Sequence, residues 1–201
     1  VHHRSITALR RALAARAAQV HPPHTPAPRA AVALLLRPAG DDLELLLIRR
    51  ADRAGDPWSG HMALPGGRAE PADADSRATA ARETREEVGI DVGAGGEWLG
   101  ALDELYPRSG APSIVVAPHV FAVPASTEAV PNHEVAEALW IPLAELAHPE
   151  AATEYVYRME GGGSRSFPAY GARGNVVWGL TYRMLSDFLE LHAALDAEDA
   201  R

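Results

Sequence analysis

Glu83, Glu86 and Glu87 crowd three carboxylates into five residues, behind the turn Pro65-Gly66-Gly67. Residues three and four apart share a helical face, so on a helix Glu83 lies beside both of the others. Left alone, each like-charge pair costs about a few tenths of a kcal/mol and raises its members' pKa values. A hard divalent cation such as Mg²⁺ removes both penalties, because it binds carboxylate oxygens together with water and substrate phosphates. Zinc is a poorer fit: the chain has no Cys, and this helical stretch holds no His. Gly66 and Gly67 let backbone approach a ligand where a side chain would block it, and a bare Gly66 carbonyl would be a further metal ligand. Acidic clusters are usually solvated helix faces; the glycine turn in front of this one favours a site.

The elements that must position these residues are legible in outline. "DSRATAARETREEVG" is the clearest helix, with Asp75 or Ser76 as N-cap and Gly89 as its stop. "AAVALLLR" (30–37) and "LELLLIRR" (43–50) read as a hairpin. A Gly- and Pro-containing loop (51–63) leads to the turn. Strands are expected over 97–105, 113–123, up to Trp140, over 154–160 and 164–170, and up to Trp178, with a turn at Gly161-Gly162-Gly163. A short helix follows Trp140, and an amphipathic helix closes the chain from Gly179 to Leu195, with Leu180, Met184, Leu185, Phe188, Leu191, His192 and Leu195 on one side. Residues 5–19 read as a helix with Ile6, Leu9, Leu13 and Val20 on one face, and "HPPHTPAP" (21–28) is a proline-rich linker that ends it. The order gives a mixed sheet with helices on its faces, an α/β (α+β) class. The division expected is an N-terminal helix and linker over 1–28 and a single domain over 29–201.

The 201 residues, 47% hydrophobic, suit one globular domain with a core. Without cysteines there is no disulfide framework. A formal charge of -8 argues against nucleic acid as partner, and no apolar run is long enough to span a membrane. The expected location is the cytoplasm: no secretory signal is visible, and basic residues that are all Arg hint at a GC-rich bacterial source. The acid-poor, Arg-rich start also has the composition of an organellar transit peptide, although an ordinary helix is preferred. Since the chain begins at Val1 and not Met, its natural start is expected further out.

The run Arg82-Glu83-Thr84-Arg85-Glu86-Glu87-Val88-Gly89-Ile90 resembles the second half of the Nudix box, whose pattern is Gly, five residues, Glu, seven residues, then Arg-Glu-U-x-Glu-Glu-x-Gly-U with U apolar. Thr84 stands where an apolar residue is expected. In the first half the pattern's Glu falls on Ala74, flanked by Asp73 and Asp75, and its Gly falls on Arg68, so the loop is one residue longer after Gly67. The resemblance implies a Nudix-type α/β/α sandwich with a mixed sheet and a hydrolase dependent on Mg²⁺ or Mn²⁺. It assigns Arg82 to orient the helix glutamates through an ion pair. Glu86 and Glu87 become metal ligands, Glu83 a ligand or a helper in deprotonating water, and the Gly66 carbonyl a ligand from the turn. A further Glu from a later loop, as a catalytic residue and metal ligand, is Glu134, favoured over Glu137.

The approach to the box, Leu46-Leu47-Ile48-Arg49-Arg50-Ala51 and then Gly60-His61-Met62-Ala63-Leu64-Pro65-Gly66-Gly67, is similar to the extended motif of the coenzyme A pyrophosphatase subgroup. The expected basic position between them falls on Gly55 or Asp56, with Arg53 nearby but out of register. Arg50, Trp58, His61, Gly67 and Arg68 are the implied substrate contacts: a guanidinium suits phosphate, an indole suits a base, and His61 suits phosphate or proton transfer. Trp178 and Tyr182 read as core first and pocket wall second. The expected partner is a small nucleotide, with coenzyme A or acyl-CoA ahead of ADP-ribose or a dinucleotide and then a nucleoside triphosphate. A non-catalytic nucleotide sensor is the rival of another class. Homodimer formation through the N-terminal helix or the Gly161–Gly163 region is an open expectation.

Overall fold

The computed structural model describes residues 3–23, 25–55, 58–106, 114–159 and 161–199. Asp56, and the strand ends at Ser113 and Glu160, lie outside the described residues.

The chain runs α1 (Arg4–Ala15), β1 (Arg29–Ala39), β2 (Asp42–Arg50), β3 (Met62–Ala63), β4 (Gly66–Arg68), α2 (Ser76–Val88), β5 (Glu97–Ala101), β6 (Val115–Ala122), β7 (Val135–Pro142), α3 (Leu143–Ala147), β8 (Ala152–Arg158), β9 (Ser164–Ala172), β10 (Asn175–Trp178) and α4 (Gly179–Asp199). The first seven strands form one mixed sheet, in which β1 pairs parallel with β6 and antiparallel with β2 and β4. Strands β8, β9 and β10 form a separate antiparallel sheet.

Alternation along β1 and β2 builds the layers. Leu34, Leu36, Leu43, Leu45 and Leu47 face the core that also takes Ile6, Leu9 and Leu13 of α1 and Met184, Leu185 and Phe188 of α4. Ala31, Ala33, Leu35, Leu46 and Ile48 face the opposite core, with Ala80 and Val88 of α2. The result is an α/β/α sandwich. The alanines matter because small side chains at 31 and 33 let α2 lie close to the sheet, beside β4.

Strands β1 and β2 pair only over Leu36–Ala39 with Leu45–Asp42, then diverge. The chain from 62 to 68 fills the wedge: β3 pairs with Ile48 and Arg49 of β2, and β4 pairs with Ala30, Ala31 and Val32 of β1. Pro65, buried at the crossing, has no N–H to leave unpaired, and its carbonyl accepts from Ala33 N at 2.8 Å.

Helix α1 stops at Ala15, four residues short of the expected end. Arg16 turns extended and reaches the Asp103 carboxylate at 2.5 Å, and Gln19 O accepts from Glu104 N at 2.9 Å. Val20 therefore lies off the helix and 73% exposed, not on its apolar face. Strand β5 likewise ends at Ala101, with Leu105 rejoining the sheet only as a bridge to Val116.

At the start of α2, Asp75 caps the helix by accepting from Ala78 N at 2.7 Å, and Ser76 Oγ lies 2.9 Å from His119 Nε2. Trp98 Nε1–H donates to His119 Nδ1 at 3.3 Å, so Nδ1 is the bare nitrogen and Nε2–H points at the serine. The imidazole thus struts α2 against β5 and β6 and is no base for Ser76. Burial pushes its pKa down to about 4. With the folded value below the unfolded one of about 6.5, its contribution is complete above pH ~6.5 and is lost as pH falls toward 4. The expected loss is on the order of 2–3 kcal/mol. The check is urea unfolding of the parent chain and His119→Phe from pH 7.5 to 4.5: the stability difference between the two should shrink on acidification.

Candidate active site

The site grows from the wedge. Ladder bonds from Ala33 N to Pro65 O and from Ala69 N to Arg29 O make Val32 and Gly66 a non-hydrogen-bonded pair. The N–H and carbonyl of Gly66 therefore both point away from β1. The N–H donates to Glu87 Oε2 at 2.9 Å. Only glycine fits there, since a Cβ would overlap Ala31 O and Val32 Cα, which are backbone. A Cβ on Gly67 would instead run into the Glu83 carboxylate. The two glycines thus let β1 and the helix acids close on the same turn.

Glu83, Glu86 and Glu87 share one face of α2. Glu87 is 4% exposed, and burial pushes its pKa up to about 7; the Gly66 N–H opposes that, Glu83 and Glu134 add to it, and Arg50 offsets it. Burial also raises Glu83, against the pull of Arg82, with Glu86 and Glu134 contributing repulsion. Glu134 is therefore within electrostatic reach of both helix acids. It accepts from Arg53 Nη2 at 2.9 Å, whereas Glu137 lies on β7 and pairs with Arg49 at 3.4 Å.

Arg82 holds the acids in place. Its Nη1 lies 3.0 Å from Glu83 Oε1 and 3.1 Å from Glu86 Oε2, and its Nη2 donates to Arg68 O at 2.9 Å. Behind it, Asp73 accepts from Nε at 3.1 Å and Nη2 at 3.0 Å, a bidentate pair, and also from Thr79 Oγ1 and Glu70 N at 2.9 Å. Arg82 and these hydrogen bonds hold the Asp73 carboxyl well below the usual carboxylate range. Ala74 stands at the pattern's carboxylate position, and Asp73, one residue earlier, supplies the group in its place. Thr84, at an apolar position, is fully buried and donates its hydroxyl to Ala80 O at 2.7 Å, so the helix absorbs it.

The donor set fits a hard divalent cation in chemistry: Glu83, Glu86 and Glu87 carboxylates and the Gly66 carbonyl are all oxygens. Among the described residues no three acidic or histidine side chains converge tightly as they lie, and Arg82 Nη1 bonds both Glu83 and Glu86.

The implied substrate residues divide. Arg50 ends β2 with its charge acting on Glu87, its N–H donating to His61 O at 3.0 Å and its carbonyl accepting from Gly60 N at 3.2 Å. Gly67 and Arg68 lie on β4 at the acidic face. Trp58 and His61 turn instead toward Trp178, at ring-centroid distances of 6.4 and 5.3 Å. Tyr155, 4.1 Å from Trp178, belongs to this group and was missed; the alternation Tyr155, Tyr157 along one strand was its signal. Tyr182 packs on Tyr170 at 4.8 Å and stands apart.

Residues 26–159 match the NUDIX domain family. An uncharacterized protein of Schizosaccharomyces pombe is 43% identical over 114 residues, covering 54% of this chain and 35% of that protein. The human mitochondrial coenzyme A diphosphatase NUDT8 is 33% identical over 150 residues, 74% of this chain and 63% of the relative. The uncharacterized Nudix hydrolase NudL of Yersinia pestis is 34% identical, with 68% and 66% covered. The matches thus span about a third to two thirds of these relatives' own lengths. In structure, a MutT/nudix family protein from Enterococcus faecalis superposes with TM-score 0.54 at 17% identity, covering 86% of this chain and 63% of that one, a likeness of fold.

Replacing Asp73 frees Arg82 from its rear support. Asp73→Ala should lower stability by about 2 kcal/mol, the size of lost charge-assisted hydrogen bonds. In the reaction proposed below it should lower kcat more than it raises KM, while Asp73→Asn, which can still accept, recovers part of both. Equal stability and kinetics in all three proteins would remove the positioning role.

Proposed function

This chain belongs to the Nudix family, and from that premise we propose that it is a divalent-metal-dependent pyrophosphohydrolase acting on a nucleoside diphosphate derivative, with coenzyme A or acyl-CoA as leading substrate. The observation that carries the reaction class is the carboxylate of Glu87, buried against the Gly66 N–H with Glu83 and Glu86 on the same helix face. Water adds to one phosphorus of the P–O–P linkage and the bridging oxygen leaves with the other; from coenzyme A the products are a phosphopantetheine and adenosine 3′,5′-bisphosphate.

Glu83, Glu86, Glu87 and the Gly66 carbonyl would hold Mg²⁺, or Mn²⁺ as the alternative. When bound, the cation polarises phosphate oxygen and lowers the pKa of the attacking water. Arg50 is placed to contact a phosphate, as a guanidinium fork does. Glu83 or Glu134 would take a proton from water, and Glu134 is also a candidate metal ligand. Arg82, fixed by Asp73, keeps the acids in register.

Coenzyme A is supported by the segments Leu46–Ala51 and Gly60–Gly67 and by the name of the human relative. ADP-ribose or a dinucleotide comes next, then a nucleoside triphosphate. A nucleotide sensor without turnover is the reading of another class; it has no use for a carboxylate kept as costly as Glu87.

The test is a side-by-side screen of coenzyme A, ADP-ribose, dinucleotides and nucleoside triphosphates with Mg²⁺ and Mn²⁺. Binding without cleavage of any of them would establish the sensor instead. Glu87→Gln should lower kcat by more than ~100-fold, beyond the loss typical of groups that only support a ligand. Gln still accepts from Gly66 N–H but carries no charge. Without metal, the raised pKa means that stability is lost as pH rises from the ordinary carboxylate value of 4.5 through about 7, so at pH 8 the variant's Tm should exceed the parent's. A variant that turns over normally would refute the metal assignment.

A further inference from the structure

Four rings from the loop 58–61 and the small sheet meet beside the wedge, and Phe167 and Tyr157 also pack on Trp178, at 5.6 and 6.1 Å. Trp178, ending β10, stacks on Tyr155 of β8 at 4.1 Å with planes 15° apart. His61 meets Trp178 edge-on at 5.3 Å and Tyr155 at 5.9 Å. Trp58 stands 5.8 Å from His61 and 6.4 Å from Trp178. Unlike Phe188 in the core, Trp58 is 38% exposed and the other three are half-buried, which leaves the group within reach of a ligand. The wall also joins the acidic face directly. Arg50 bonds the backbone of Gly60 and His61 while its charge acts on Glu87, and His61 leads through β3 into Gly66.

We propose that Trp58, His61, Tyr155 and Trp178 form the subsite for the purine base of the substrate, with the small sheet β8–β10 acting as a specificity wall beside the hydrolytic face. The inference rests on the pyrophosphohydrolase reading and deepens it. The wall is built of partly exposed aromatic rings, and such rings suit a flat heteroaromatic ring. A pantetheine arm carries amides that need hydrogen-bond partners on burial. Arg50, whose backbone bonds Gly60 and His61 and whose charge acts on Glu87, links the wall to the acids of α2, so a base held here would have its attached diphosphate near that link. Coenzyme A, ADP-ribose and adenine dinucleotides share that base, so the wall accounts for recognition common to all three.

The test titrates the full chain, with Mg²⁺, against ADP and separately against pantetheine, following tryptophan fluorescence and calorimetry. In Trp58→Ala and in Tyr155→Ala the dissociation constant for ADP should rise roughly ten- to a hundredfold, the size of one base–aromatic stack. Trp58→Phe should restore most of it, and pantetheine binding should not respond. Unchanged ADP affinity in both alanine variants, or a loss confined to pantetheine, overturns the subsite. The two readings fail separately. If the parent cleaves no pyrophosphate substrate but ADP affinity depends on the rings, the wall stands and the hydrolase reading falls. If the parent turns over and both alanine variants keep its KM, the hydrolase reading stands and the wall falls.

Discussion

A carboxylate held almost out of water has to be met by a donor, and that demand at Glu87 organises much of this molecule. The donor is the Gly66 N–H. A strand N–H is free for a side chain only where the ladder skips it, so β4 must pair with β1 in one register, with Gly66 opposite Val32. That register exists because β1 and β2 part after a short hairpin and leave a wedge for residues 62–68. The wedge accepts backbone at van der Waals closeness only if position 66 lacks a Cβ, and α2 comes near enough only over the small side chains of Ala31 and Ala33. A change at any of these places reaches Glu87 through packing.

Arg82 answers the second problem, repulsion. One guanidinium spreads its donors over Glu83, Glu86, Asp73 and the Arg68 carbonyl. It offsets the crowding of the helix acids without quenching it, because Glu83 and Glu87 both keep raised pKa values. The local acids outnumber the cations, and the imbalance is sharpest on the buried side. A surface helix would relieve such an imbalance with water. Here the sheet excludes water from Glu87, so relief comes from uptake of a proton, as its raised pKa records, or, in the proposed reaction, from a bound cation.

The helix carrying this chemistry was legible because caps and spacing are local. Asp75, Gly89 and the three glutamates are read from neighbours a turn away, and the structure has Asp75 capping and Gly89 in the left-handed C-cap conformation. The hairpin of β1 and β2 is legible as two apolar runs about a short turn, and the structure pairs them over Leu36–Ala39 with Leu45–Asp42. What the sequence hid was longer in range. Asp73 takes the position-74 carboxylate's place because the loop after Gly67 is one residue longer, and only the folded loop shows which of two flanking aspartates turns inward and which caps the helix. Helix α1 ends early because Asp103 and Glu104, far along the chain, capture Arg16 and Gln19. The aromatic group combines residues about a hundred positions apart, beyond the reach of any periodicity.

The positions of the acidic face and the ring cluster explain how one chain can keep reaction and recognition apart. The acids sit on α2, clamped between the main sheet and Arg82, where a small displacement would disturb every member. The rings sit on a loop and on a small separate sheet. Under the proposed reading a ring substitution would change how tightly a base is held while Gly66 and Glu87 stay in place, and Arg50, bonded to the backbone of the loop while its charge acts on Glu87, is the short link between them.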